Sequence, residues 1–189
     1  MTPTQITALR AKIFLDATAA AFFPLRDSAG LQAYLNGPAV PGYTVYANST
    51  PADDINDAIL WAKLIPVDTP NTLVTFTNQV LVCQMKQMQL EIQLVAKQTV
   101  NTGKASVRGA FQSALTNVPS DVAGAVQSAG WPAVKTVMSR AALVAEKMMA
   151  TGAGTAASPS ALDLDGVVSE HEAGTLMFHD NGVLWTAVG

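Results

Sequence analysis

The chain has 189 residues, of which only 13% are charged, with 11 Lys and Arg against 14 Asp and Glu for a net charge of −3. That length suits one domain, or one domain with an extension, and buries a core without disulfide staples. No basic tract supports a nucleic-acid footprint, and although mean hydropathy is +0.25, Asp16, Arg26 and Lys63 interrupt the apolar runs before the ~18 residues a membrane span needs.

From the N-terminus, Thr4 is expected to cap a first helix, with Pro3 before it and Ile6, Leu9 and Ile13 on one face. No basic region precedes an apolar one in MTPTQIT, so no signal peptide is expected. Pro24 interrupts the Ala-rich continuation, residues 28–36 read as a short helix, and Gly37-Pro38 ends it. Tyr43 to Tyr46 is β-branched and aromatic, hence extended. Thr50-Pro51 with Asp53 and Asp54 in the first turn starts another helix, since Pro loses no needed N–H there and acids favour the positive helix end. Pro66 stops it, and Thr69-Pro70 repeats the start signal.

The next segment carries two heptad series. Leu81, Met85, Met88, Ile92 and Val95 are spaced 4, 3, 4, 3, and Leu73, Phe76, Val80, Cys83, Gln87, Leu90 and Leu94 are spaced 3, 4, 3, 4, 3, 4. Each is a coiled-coil type of seam, and the two lie about 100° apart on one helix. A helix from about Pro70 to Lys97 would be near 40 Å long at ~1.5 Å per residue. Two seams allow it to pack between two neighbours, either both within its own bundle or one of them on another subunit.

Ala105 to Leu115 reads as helix, residues 117–130 as a Gly-containing loop, and Trp131-Pro132 as the start of a strong helix reaching about Ala150. Beyond Pro159 the period changes. Asp180-Asn181-Gly182 between apolar runs that include Phe178 and Trp185 signals a β-hairpin, because both turn positions need positive φ. The expected fold is mainly α, a helical bundle with one long central helix, over residues 1–152. Residues 153–189 form a linker and a C-terminal extended arm or hairpin.

Chemistry-bearing patterns are sparse. Gly152-Ala153-Gly154 follows a helix, whereas dinucleotide loops follow a strand, so a helix cap and flexible connector are expected. Asp163, Asp165, Gly166 and Glu172 occupy four positions of an EF-hand-like loop, but Ala161 stands at the first ligand position and no helix precedes it. Capping by Asp165 or Ser169 is the simpler role. His171 and His179 lack metal-site spacing. Cys83 lies among Leu and Phe on a seam, which reads as buried packing, and as a lone cysteine it fits a reducing compartment. Met85, Met88, Met148 and Met149 read as adaptable packing. No catalytic residue, cofactor site or metal site is expected.

Low charge with positive hydropathy leaves an Ala-rich core or a surface covered by partners. Three segments bear on the choice. RAALVAEKMMATGAGTAASPSALDLDG (140–166), MTPTQITALRAKIFLDATAAAF (1–22) and DAILWAKL (57–64) together resemble a family of small tailed-bacteriophage proteins. In that family a helix ending AEK-x-x-ATG-x-GT is followed by ASP and a Gly-terminated turn. The likeness covers most of the chain and fades from about Leu176.

The resemblance implies a virion structural protein without enzymatic activity. A neck or head–tail connector role would make it one subunit of a homo-oligomeric ring between portal and tail proteins. A tail or baseplate accessory or assembly protein is the alternative, and a calcium-binding or hydrolytic protein a distant one. On the connector expectation Leu81, Met85, Met88, Ile92 and Val95, with Phe178 and Trp185 on the arm, form the assembly interface. Gly152, Gly154 and Pro159 act as a hinge. Assembly would take place in the host cytoplasm, with no membrane and no specific nucleic-acid sequence as partner.

Overall fold

The computed structural model describes residues 1–66, 76–95, 97–120, 125–178 and 182–185. It is mainly helical, with short antiparallel strand pairs. In chain order the elements are α1 (Pro3–Leu15), α2 (Ala17–Ala20), α3 (Phe22–Leu25), α4 (Ser28–Leu35), β1 (Thr44–Tyr46), β2 (Thr50–Pro51) and α5 (Ala52–Ala58). A 3₁₀ turn at Trp61–Leu64 precedes α6 (Phe76–Leu94). Then follow β3 (Thr99–Val100), α7 (Ala105–Leu115), β4 (Val118–Pro119), β5 (Val126–Gln127), α8 (Trp131–Val137), β6 (Ser139–Ala141), α9 (Val144–Met149) and α10 (Glu170–Met177).

Local chemistry explains most boundaries. Thr2, rather than Thr4, caps α1: its hydroxyl accepts from Gln5 N–H, and the Gln5 side chain accepts from Thr2 N–H. Asp16 ends α1 and caps α2 by accepting from Ala19 N–H at 2.9 Å. Asp27 caps α4 through Gly30 N–H. Asp53 and Asp54 stand in the first turn of α5 as expected. The start signal at Thr69-Pro70, Leu73, the Asn117–Gly130 loop at residues 121–124, and the turn residues His179 to Asn181 lie outside the described residues.

Two compact units divide the contacts, and the expected break at residue 152 is not among them. One unit joins Met1–Val45 to Ala141–Gly189, and the other is Tyr46–Arg140. The first is built around Leu9, Ile13, Leu31 and Leu35, packed with Ala145, Val168, Leu176 and Met177. Residues 153–178 are therefore part of a core rather than an arm, because α10 packs on α1 and α4. The second unit surrounds Ile55, Leu64, Leu90, Phe111, Leu115, Val134 and Met138. In it β2 pairs antiparallel with β3 (Thr50 opposite Val100) and β4 with β5.

The helix expected from Trp131 to Ala150 is broken in two. Ser139–Ala141 forms a strand that pairs with Thr44–Tyr46. Nearby, Ala142 N–H donates to Tyr43 O and Ala39 N–H to Ala142 O. Backbone pairing to a distant segment satisfies these groups better here than continued helix, although the apolar period runs through.

The hairpin expectation is also revised. Leu176 and Met177 close α10 instead of forming a strand. One antiparallel bridge joins Phe178 to Leu184.

Candidate functional site

The 19 residues of α6 make a rod of roughly 28 Å. Its two seams meet different fates. Cys83 and Leu90 of one seam are buried in the core, with Val80, Gln87 and Leu94 half-buried beside them. The other seam faces out: Leu81 is 52% exposed, Met85 65%, Met88 57%, Ile92 64% and Val95 64%. Five large apolar side chains thus line up at coiled-coil spacing on one open helix face. Fully burying such a side chain is worth about 1.5–3 kcal/mol, so covering what remains exposed returns roughly 6 kcal/mol for the five together.

A groove of about 480 Å³ runs beside this face, lined by Val82, Met85, Lys86, Met88, Gln89, Ile92 and, from α7, Ser113. Lys86 would otherwise put a charge there. Its Nζ instead donates to the carbonyls of Ser113 (2.7 Å) and Thr116 (2.8 Å), neutralising the negative end of α7. Burial lowers the Lys86 pKa, against the opposing influence of Cys83. The Cys83 thiol is pushed up by burial, with Lys86 pulling it down, so it stays a packed, protonated thiol rather than a nucleophile. Val82, Lys86, Gln89 and Ser113 carried no sequence signal, because the groove depends on where α7 lies.

The other expected interface residues are not free to dock elsewhere. Trp185 N–H donates to Met177 O, and Trp185 Nε1 to Phe178 O at 3.1 Å. The Arg10 guanidinium stacks on the Trp185 ring at 3.8 Å. The same guanidinium donates to the carbonyls of Thr175 (2.8 Å) and Leu176 (3.0 Å), the last turn of α10. Phe178 and Trp185 pack partly buried against their own core.

The hinge expectation fails for a similar reason. Gly154 N–H donates to Ser160 Oγ at 3.0 Å, Thr44 N–H donates to Gly154 O at 2.7 Å, and Tyr43 Oη donates to Gly152 O at 2.9 Å. Gly154 has φ of 60°, and a Cβ there would lie 2.1 Å from the Tyr43 ring, so only glycine fits. Pro159 is buried. The loop is locked on Tyr43 and Ser160.

The EF-hand-like residues do not converge. Gly166 N–H donates to Glu146 Oε1 at 3.1 Å, while Glu146 Oε2 accepts from Leu143 N–H at 2.9 Å. Glu172 forms a capping box with Ser169, one of the two residues expected to act as a cap, at the start of α10. Among the described residues no group of three His, Cys, Asp or Glu is placed to hold a metal ion. A second cavity of about 470 Å³ contains Asp16, Tyr34 and Lys147. Its charges have internal partners: Asp16 accepts from Tyr34 Oη, and Lys147 donates to the carbonyls of Val40 and Pro41.

No family model, curated protein or solved structure matches this chain.

Proposed function

We propose that this chain is a non-enzymatic structural subunit of a tailed-bacteriophage particle, placed at the neck or head–tail connector and assembled as a ring between portal and tail. The observation that carries the proposal is the open seam from Leu81 to Val95, an apolar stripe at helix-pairing spacing with no covering segment among the described residues. The resemblance of residues 1–22, 57–64 and 140–166 to small phage structural proteins supplies the setting. In this reading α6 is the central rod of a helical bundle, one seam turned to its own core and the other given to a neighbour.

The magnitudes make the seam a modest pairwise contact that further contacts reinforce. Roughly 6 kcal/mol of gross apolar burial is comparable with the 4–15 kcal/mol lost in translational and rotational freedom on association. Such a contact is weak by itself. It becomes firm when each copy is also held at other faces, as in a ring, where neighbouring contacts are made at high effective concentration.

Mass spectrometry of purified particles tests the proposal. The chain is expected in finished virions at a stoichiometry that matches a ring. Its presence during assembly but absence from finished particles would replace the connector role with that of an assembly factor, and its absence from the whole pathway would remove the viral role.

A further inference from the structure

We propose that in solution two copies of this chain pair through α6, the Leu81–Val95 face of one copy against the same face of the other. This rests on that face being an assembly surface and adds what covers it. Knobs-into-holes packing needs a partner helix with the same repeat. Among the described helices, the 4, 3, 4, 3 spacing on an open face occurs on α6, so a second copy brings the matching surface.

Charge permits it. No seam residue is ionisable; of the residues flanking it Gln84 and Gln89 are neutral and Glu91 is acidic and exposed, while Lys86 is committed to the carbonyls of Ser113 and Thr116. Two identical faces therefore meet with one acidic residue each, Glu91, at the exposed edge of the seam, where solvent screens the repulsion. Area also permits it. The five side chains leave roughly 500 Å² of apolar surface per copy, and with Val82, Gln84 and Gln89 a pair comes near the ~800 Å² per partner of a standard interface. Met85 and Met88 at the middle of the seam adapt to a self-complementary fit.

The test is sedimentation of the full chain, up to roughly 100 µM as suits a contact of this size. Wild type, Met88→Glu, Ile92→Glu and a control, Leu25→Glu, are compared. Leu25 is 73% exposed and lies off the seam. A wild-type dimer is expected. Either seam substitution should raise the dimer Kd about 100-fold or more, since each buries carboxylates in an apolar contact, and the control should dimerise as wild type does. Cys83, buried on the inward seam, reports folding: it stays unreactive to thiol reagents in every variant that keeps its fold.

A monomeric wild type overturns the pairing. So does a dimer indifferent to Met88→Glu and Ile92→Glu, or a larger ring that they dissolve. None of these touches the particle measurement, which alone decides the virion role. A chain that dimerises through the seam but never enters a particle keeps the pairing and loses that role.

Discussion

Glu146 is fully buried and ties the start of α9, through the N–H of Leu143, to the DLDG turn, through the N–H of Gly166, 20 residues further along the chain than Glu146. Removing it leaves two partly buried donors without that acceptor. Glu146→Ala should cost about 3 kcal/mol in urea unfolding and Glu146→Gln about half as much, because the amide keeps one acceptor oxygen. Equal stability of both variants with wild type would show that the bridge is dispensable. Glu172 answers to pH. The Met1 amino group, and then Ser169, hold its carboxyl below the ordinary 4.5. A lowered folded pKa contributes stability above the unfolded value and loses it as pH falls through the folded one. Melting temperature should therefore drop below about pH 4.5, and the drop should be smaller in Glu172→Gln. Coincident pH profiles for the two proteins would refute that contribution.

At the scale of elements, α6 was legible as a helix with two seams because its apolar residues keep a 3.5-residue repeat along the whole of it. Which seam turns inward was not legible. The inward one contains Gln87 and the outward one is uniformly apolar, so composition points the wrong way, and only the position of α7 and the 3₁₀ turn decides. The break at Ser139–Ala141 was invisible for a related reason: its partner Thr44–Tyr46 is some 95 residues away, beyond any local window. α10 was missed although Ser169-x-x-Glu172 is a helix-start pattern, because Asn181-Gly182 gave a competing hairpin signal. At the candidate site the five seam residues were readable from spacing, while the groove, Arg10 and Glu146 required the fold. The open seam also sets an order of oxidation. Met85 and Met88 are exposed, whereas Met138 and Met177 are fully buried. Mild peroxide followed by peptide mapping should find sulfoxide at Met85 and Met88 first, and the polar sulfoxides should weaken seam pairing about tenfold. Met85→Leu with Met88→Leu should resist that loss. Oxidation of Met138 at the same rate would mean that the core opens as readily as the seam.

For the molecule as a whole, the fate of residues 155–189 separates an appendage from a structural part. An appendage could be removed at Gly154 with the helices left intact. Here the removed segment would take away Val168, Ala173, Leu176 and Met177, which pack on Leu9, Ile13, Leu31 and Leu35, and Ser160, which holds Gly154 and Tyr43. Losing four or five buried side chains costs roughly 10 kcal/mol, about the whole stability of a domain. Truncation after Gly154 should therefore unfold the unit made of Met1–Val45 and Ala141–Gly189. The core of Tyr46–Arg140 draws its buried residues from within that stretch alone, so α6 and α7 should keep their protection. Hydrogen exchange on the truncated chain reads both at once: amides of α1 and α4 should exchange at unfolded rates while those around Leu90 and Phe111 remain slow. Protected amides at Leu9 and Leu31 would restore the view of the C-terminal segment as a detachable arm.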